Sequence, residues 1–494
     1  MALAEKRKQF ANSALYVAPI AIGNLVPILT LPIFTRLISK EDYGAWALAN
    51  VYAVFVAGLA NVGLPLGYER NFFQHREARA ASQLLYSVLA FLIAAFATCT
   101  LLTWLFGPRL SGWVIGAPRY HSLLLLSMVA TGTSSLKTIY MTYLRNSEAA
   151  AAFARYTIAE RVLSAVASIA LVAWLRVGVI GLVIGQVIGT AGVLLVLAAR
   201  FFPKLPPSFS AAFLRDALRI GYPLTPRVFL GVVSKNFDKY LIGQIASIGG
   251  VGIYSIGQRI AYVAFTYATA LENVFTPQVY SRMFSLGEQG GASIGSYLTP
   301  FAYASAAIAF AIAIFSEEIL RVLTPAGYHT AGPVVAVLAL FYGIQFFGKV
   351  PQLAYAKKTH LITVLSAVGL VLNVGFGIVC IRLWGVMGAA WGVLSAGLVS
   401  IMLALAVGQR YYRIEWERRK LLLIFGVLFA GVFVTIGLRQ LGVDYPIRLA
   451  AKLALLGLYA WVGVRLRYIT RENFGVARDL VLRRPAQANA GANA

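Results

Sequence analysis

Residues 224–243 read LTPRVFLGVVSKNFDKYLIG and have the length and apolar character of one membrane-spanning helix. Four charged residues nevertheless lie within this stretch: Arg227, Lys235, Asp238 and Lys239. A charge in hydrocarbon is costly and is retained where it faces water, a partner or a ligand. The stretch therefore predicts a transmembrane helix with one face directed into the protein.

Composition places the whole chain in the same class. Of its 494 residues, 59% are hydrophobic and only 12% are charged, and the mean hydropathy is +0.75. A folded soluble domain exposes too much surface to accommodate so large an apolar fraction. The chain is predicted to be a polytopic membrane protein, so its net charge of +25 does not indicate binding to nucleic acid.

Apolar segments of roughly membrane-spanning length recur along the chain. Backbone groups in hydrocarbon need internal hydrogen bonds, and the ten-residue alternation of a barrel is missing, so an all-α fold is expected. The fourteen predicted segments are 12–34, 43–66, 84–106, 120–142, 156–176, 178–200, 219–246, 251–276, 297–320, 331–354, 361–382, 386–408, 421–440 and 446–466. We interpret the first as an uncleaved span, because it is too long for a signal peptide.

Loop charges predict the orientation. With the N-terminus in the cytoplasm, clusters such as EKRK (residues 5–8), YYRIEWERRK (411–420) and the basic tail all lie on the cytoplasmic side. The short loops on the opposite side hold far fewer Lys and Arg. The positive-inside rule then favours a multi-pass protein with both termini in the cytoplasm.

Helical geometry groups the four charges of the opening stretch. At 100° per residue, Asp238 lies about 20° from Arg227 around the helix, and Lys235 and Lys239 lie at about 80° and 120°. They share one sector, which predicts a common water-accessible interior. If the helix begins near residue 219, Arg227 lies near the middle of the bilayer. Alternatively, Lys235 and Asp238 form an ion pair near the outer surface, and Lys239 snorkels there.

Four stretches carry a family resemblance: LPIFTRLISKEDYGAWALAN (31–50), GLPLGYERNFF (63–73), NFDKYLIGQIASIGGVGIYSIGQRIA (236–261) and FTPQVYSRM (275–283). Over about residues 8–410 the chain resembles the polysaccharide-transporter branch of the multidrug/oligosaccharidyl-lipid/polysaccharide (MOP) exporter superfamily. It is similar to the Wzx-type flippases of O-antigen or exopolysaccharide repeat units. That resemblance implies movement of undecaprenyl-diphosphate-linked oligosaccharides from the cytoplasmic to the periplasmic leaflet.

The resemblance also implies an architecture. Two six-helix lobes, residues 1–210 and 211–410, would face a central cavity that alternates in access. Residues 411–494 would add two helices and a basic tail. Membrane lipids and a polysaccharide polymerase or assembly complex are the other expected partners.

For such a substrate, Arg227 is the expected contact with the diphosphate, because a guanidinium offers parallel charge-assisted hydrogen bonds. Lys235, Lys239 and Arg259 are further cationic candidates, although Arg259 would alternatively pair with Asp238 or a lipid headgroup. Pro223 and Pro226 are expected to loosen the helix and form a hinge.

Other polar residues of the spans are less decisive. Asn50 and Asn61 lie eleven positions apart on one helix face, where they would bind sugar hydroxyls or join helices. Lys137 and Lys349 are expected to snorkel at helix ends, and Glu160 is expected at a membrane interface.

Energy coupling through a proton or sodium gradient is implied by the resemblance. Asp238 and Glu272 are the candidate ion carriers, although a structural role is the alternative for each. The chain has no GxxxxGK phosphate loop, so no ATP site is expected, and its histidines and two cysteines indicate neither a metal site nor a disulfide.

Two other functions compete with the flippase. A multidrug exporter of the same fold binds organic cations through carboxylates, which the first two spans lack. A membrane glycosyltransferase or polymerase needs a catalytic acid on an external loop, where Glu41, Asp42 and Asp444 are nearly the only acids. The sequence favours transport over catalysis.

Overall fold

The computed structural model describes residue 23, residues 25–75 and residues 77–468. Within these ranges the regular structure is entirely helical, which confirms the all-α prediction. The helices are α1 (Leu31–Leu37), α2 (Lys40–Ala60), α3 (Leu64–Phe72), α4 (Ala78–Leu105), α5 (Gly107–Val114), α6 (His121–Asn146), α7 (Ala150–Ile169), α8 (Val179–Phe201), α9 (Ala211–Gly221), α10 (Thr225–Ile245), α11 (Ile248–Leu286), α12 (Gly290–Ile314), α13 (Ser316–Leu323), α14 (Gly332–Ile344), α15 (Pro351–Tyr355), α16 (Thr359–Tyr411), α17 (Arg418–Gln440) and α18 (Tyr445–Arg465).

Ten helical runs of the described residues are long and apolar enough to cross a membrane. One of them, residues 248–314, is interrupted by a 3-10 turn at Gly287–Gln289, and α16 bends at Trp384 and Gly385. α10 is not among the ten, because it carries the four charged residues. The first predicted segment, 12–34, falls largely outside the described residues. The number fourteen therefore stays a prediction.

Two prolines determine where α10 begins. A 3-10 turn at Tyr222–Leu224 contains Pro223 and separates α9 from α10, and Pro226 occupies the first turn of α10. Proline lacks the backbone donor that a helix interior requires, so it is accommodated in a first turn. The predicted start near residue 219 is wrong by about six residues. Arg227 lies in the first turn of α10, closer to the beginning of the helix than the sequence indicated.

The chain folds into two compact units. The first comprises Met1–Ile260, Glu317–Val334 and Thr363–Ala396, and its core is an apolar cluster built mainly on α4, α6 and α8. The second comprises Ala261–Ser316, Val335–Ile362 and Gly397–Ala494. The predicted lobes at 1–210 and 211–410 and the appendix at 411–494 stay predictions.

Within the first unit, α2 runs antiparallel to α10 at very close range. Near one end, a Cβ on Gly44 would lie 1.9 Å from the carbonyl oxygen of Ile248. Beyond the other end of α2, Gly63 has a φ of 65°, and a Cβ there would lie 2.1 Å from the carbonyl oxygen of Gly221. Glycine is required at both places, because any side chain would separate the backbones. These contacts bring the polar residues of α2, α10 and α11 together.

Within the second unit, a segment of extended chain joins α16 to α17. Tyr412 donates a hydrogen bond from its hydroxyl to the Gly287 carbonyl at 2.7 Å, and a Cβ on Gly295 would lie 1.9 Å from the Glu415 carbonyl oxygen. Tyr303 and Tyr459 each donate to the other's backbone carbonyl, at 3.1 and 2.9 Å. These contacts hold the last two helices, α17 and α18, against α12.

Candidate functional site

The charged row of α10 separates into exposed and buried members. Arg227 and Lys235 are exposed, and neither forms a hydrogen bond or ion pair with any residue in the described ranges. Lys239 is half-buried, and Asp238 is only 8% exposed. A shared helical sector therefore does not give the four side chains a shared environment.

Asp238 is held by polar groups of α11. Its carboxylate accepts a hydrogen bond from the Tyr254 hydroxyl at 2.5 Å and a longer one from the Gln258 amide at 3.3 Å. The backbone N–H of Lys239 donates to its other oxygen at 2.8 Å. The Lys235–Asp238 ion pair is therefore wrong: the described residues hold no such pair, and neutral donors on α11 satisfy the carboxylate.

Arg259 on α11 lies against two aromatic rings of α2. Its guanidinium carbon is 5.5 Å from the centre of the Trp46 ring and 5.9 Å from that of Tyr43, which is a cation–π geometry. The alternative pairing of Arg259 with Asp238 is not present among the described ion pairs. The charge of Lys239 acts on that of Asp238 and, across the junction of α10 and α11, on that of Arg259.

The same two aromatic residues present unused donors. The Tyr43 hydroxyl and the Trp46 Nε1 are buried, and within the described part of the chain neither has a hydrogen-bond partner. A buried donor without a partner is unusual in a folded protein, so both groups are free to donate to an acceptor from outside the chain. Together with Arg259, these groups can bind an anion or a carbohydrate oxygen. Sequence reasoning missed them, although both lie in the quoted stretch DYGAW.

The two asparagines associated with α2 do not behave alike. The Asn50 amide donates to the Trp46 carbonyl at 2.8 Å, so it bonds its own helix rather than a neighbour. Asn61, which follows the last residue of α2, approaches the Ser135 hydroxyl at 3.5 Å, and its buried Oδ1 has no partner among the described residues. Asn61 therefore retains a free acceptor, whereas the Asn50 amide already donates a hydrogen bond within α2.

Lys137 and Glu160 form a buried ion pair between α6 and α7. Lys137 is 8% exposed and Glu160 is 5% exposed. Both predictions for these residues, snorkelling at a helix end and an interfacial carboxylate, are wrong. The two residues are 23 positions apart on separate helices, so nothing in the local sequence indicated that they meet.

Glu272 on α11 also has a basic partner. Its carboxylate lies 2.5 Å from the Lys349 ammonium, and the side chains are 19% and 71% exposed, respectively. Lys349 therefore binds a carboxylate rather than simply reaching for the membrane surface. This pairing favours a structural role for Glu272, and its role as an ion carrier stays a prediction.

No cluster of three His, Cys, Asp or Glu residues suited to a metal ion occurs in the described part of the chain. Cys99 and Cys380 are free cysteines, and Cys380 is buried.

Comparison with solved structures identifies the fold. The lipid II flippase MurJ in an inward closed conformation superposes with a TM-score of 0.67 over 92% of this chain and 99% of that chain, at 15% identity. An inward-facing multidrug resistance MATE family transporter of the MOP superfamily gives a TM-score of 0.59, with 81% and 97% coverage at 16% identity. A MOP superfamily transporter from Pyrococcus furiosus, described as having a binding pocket of reverse polarity, gives 0.55, with 82% and 95% coverage at 15% identity.

At these identities the likeness shows the fold, which is that of the MOP transporters. No curated protein matches the sequence. A family model described as polysaccharide biosynthesis protein matches residues 33–330, which is more than half of the chain. This chain is a multi-pass membrane protein with the MOP fold, and it belongs to the polysaccharide biosynthesis protein family.

Proposed function

We propose that this protein is a flippase for an undecaprenyl-diphosphate-linked oligosaccharide, an O-antigen or exopolysaccharide repeat unit. It moves the lipid-linked unit from the cytoplasmic to the periplasmic leaflet of a bacterial inner membrane by alternating access. The family supports a role in polysaccharide biosynthesis, and the MOP fold supports transport.

The observation that carries the proposal is the pair of exposed cations on α10. Arg227 and Lys235 have no counter-charge among the described residues, although they lie on a helix with apolar neighbours. Lys235 lies halfway along α10, and a cation in the middle of a membrane span costs roughly 3 to more than 10 kcal/mol without water or an anion. A diphosphate is an anion of suitable charge, and the guanidinium fork of Arg227 matches its oxygens.

The polar junction of α2 and α11 supports recognition of the rest of the substrate. The Tyr43 hydroxyl, the Trp46 Nε1 and the Arg259 guanidinium are all donors, and sugars and phosphates are rich in acceptor oxygens. Lys239, Asn50 and Asn61 are additional candidates for these contacts. Pro223 and Pro226, at the break between α9 and α10, are the proposed hinge.

Orientation and energy coupling complete the proposed cycle. Both termini lie in the cytoplasm, as the loop charges favour, and a proton or sodium gradient drives transport without ATP. A polysaccharide polymerase or assembly complex receives the flipped unit, and the protein itself is not the enzyme.

The test uses a host strain that lacks the gene for this protein and is complemented with the Arg227→Ala variant. We expect the variant to reach the membrane at the wild-type level but to export at least tenfold less surface polysaccharide. The host's lipid-linked glycan should accumulate in the cytoplasmic leaflet. Arg419→Ala is the matched control, because Arg419 is also exposed and lies at the start of α17.

Export of surface polysaccharide at the wild-type rate by Arg227→Ala would overturn the role of that residue. Two other results would overturn the function as a whole. Efflux of a cationic dye such as ethidium on expression would support a multidrug exporter. Loss of chain elongation on substituting Glu41, Asp42 or Asp444, with flipping intact, would support a glycosyltransferase or polymerase.

A further inference from the structure

The buried Lys137–Glu160 pair lies deep within its two helices. Lys137 is nine residues before the last residue of α6, and Glu160 is ten residues after the first residue of α7, so they lie about 14 and 15 Å from those ends. Residues 147–149 join the two ends. Because a bilayer's hydrocarbon core is about 30 Å thick, these distances correspond to its middle.

Glu160 is carried by a rigid pair of helices. A Cβ on Gly189 of α8 would lie 1.9 Å from the Ser164 hydroxyl of α7 and 2.9 Å from the Glu160 carbonyl oxygen. One turn further along, a Cβ on Gly185 would lie 2.2 Å from the Ser168 hydroxyl. α7 and α8 therefore pack backbone to backbone, whereas Lys137 belongs to α6. The ion pair is the charged connection between α6 and that rigid pair.

Few other titratable groups face the pair. On α7, the adjacent Arg161 is exposed, its charge acts on Lys137, and its Nε lies 3.8 Å from the position of a Cβ on Gly23. On α6, Tyr140 is one turn from Lys137, and it interacts with Tyr86 of α4. α8 contributes no charged residue before Arg200, and α2 contributes none after Asp42. α3, which also packs on α6, contributes Glu69, and that carboxylate pairs with Arg145 of α6 at 2.8 Å. Glu160 is the only acid of α6, α7 and α8.

A buried ion pair is weak evidence for stability, because well-packed apolar residues often serve equally well. Its distinctive property is its response to a proton. Protonation of Glu160 removes the charge that compensates Lys137 and leaves a buried ammonium without a counter-anion. Because α6 and α8 share the apolar core, that state favours a local rearrangement around Lys137 that admits water or an anion between α6 and α7. Proton binding is thereby linked to rearrangement at the contact between α6 and α7.

We propose that the Lys137–Glu160 pair is the proton-binding site through which a proton gradient drives this transporter. The Glu160 carboxylate takes one proton from the periplasmic side in one access state and releases it to the cytoplasm in the other. Lys137 keeps its charge throughout and is the positioning residue that senses the change. This role rests on the proposed transport function and names a carrier other than Asp238 and Glu272.

The other two acids of the spans are less suited to this role. Asp238 is held by hydrogen bonds from neutral donors of α11, and it forms no ion pair with Lys239, although the charge of Lys239 acts on it. Glu272 pairs with Lys349, an exposed cation that water screens in either protonation state. Glu160, in contrast, is in direct contact with a buried ammonium, and its protonation leaves that ammonium uncompensated.

The experiment uses the full chain in proteoliposomes with the host's own radiolabelled lipid-linked glycan. Two quantities are measured: equilibration of the glycan between leaflets without a gradient, and its accumulation in one leaflet under an imposed pH gradient. The test variant is Lys137→Met combined with Glu160→Gln. It removes both charges together, so neither residue is left as an unpaired buried charge. The control is Arg321→Met with Glu317→Gln, which removes a partly exposed ion pair of α13.

We expect the double variant to equilibrate the glycan at about the wild-type rate but to lose gradient-driven accumulation at least tenfold. The single variant Glu160→Gln should also be insensitive to the gradient. Accumulation that responds to pH as in the wild type would overturn the inference and leave the pair a structural contact. Absence of any glycan movement by the wild-type protein would instead overturn the proposed function.

Discussion

Two basic regions of this membrane protein differ in whether their positive charge has a partner within the protein. On α10, Arg227 and Lys235 are exposed and have no partner among the described residues. Between α6 and α7, Lys137 is buried and its charge is matched by Glu160. A matched pair is complete within the chain, whereas an unmatched cation among apolar residues requires a partner from outside. The first region therefore suits a ligand, and the second suits a switch.

Asp238 is a third and informative case. It is buried like Glu160, yet its carboxylate is held by hydrogen-bond donors, and Lys239, whose charge also acts on it, forms no ion pair with it. Burial by itself thus does not distinguish an acid whose protonation changes its surroundings from an acid that is held in place in both protonation states. The nature of the compensating group does, because a neutral donor remains in place when the acid is protonated.

The largest expected effect comes from breaking the matched pair. Lys137→Met leaves Glu160 buried without a counter-charge, and removing one member of a buried pair typically costs about 3–5 kcal/mol. We expect the melting temperature of the purified protein in detergent to fall clearly. The double variant with Glu160→Gln should recover most of the loss. Equal melting of single and double variants would show that the two charges do not stabilise each other.

A smaller loss of stability is expected when a hydrogen bond to Asp238 is removed. Tyr254→Phe removes the 2.5 Å hydrogen bond to Asp238 and leaves the ring, so the loss of one charge-assisted bond should cost about 1–3 kcal/mol. The same melting experiment measures it. Tyr262→Phe is a suitable control, because Tyr262 lies two turns further along α11. A neutral result at Tyr254 would mean that Gln258 and the Lys239 N–H suffice for Asp238.

A conservative substitution of Arg227 tests whether its charge or the shape of its guanidinium matters for transport. Arg227→Lys keeps the positive charge and removes the planar fork, so a bidentate contact with a diphosphate should weaken by about 1–2 kcal/mol, or roughly tenfold in transport. The measurement is initial-rate export of the host's lipid-linked glycan. If Lys supports wild-type export, charge alone is sufficient at this position.

The smallest expected effect concerns the unpartnered donors next to Arg259. Trp46→Phe keeps an aromatic ring near the guanidinium and removes the indole N–H. Losing one hydrogen bond to a substrate oxygen should reduce export by a few-fold, equivalent to about 1 kcal/mol. Unchanged export would indicate that the Trp46 N–H does not contact the substrate, while the cation–π contact would still stand.

Prediction from the sequence succeeded where the signal was local. Apolar runs indicated the all-α membrane class, and the motifs of residues 31–50 and 236–261 indicated the superfamily. It failed where the signal was long-range. The start of α10 depends on how the 3-10 turn that contains Pro223 packs against the helix that begins before Pro226, and Lys137 meets Glu160 across two helices.

The sequence by itself determined that the chain spans a membrane, that it is helical, and that α10 carries its charges on one sector. Only the tertiary structure decided which of those charges are compensated. Helical angles fix the direction of a side chain relative to its own axis, but burial depends on the neighbouring helix that occupies that direction. Asp238 faces Tyr254 of α11, whereas Arg227, about 20° away around the helix and eleven residues earlier, faces no partner among the described residues.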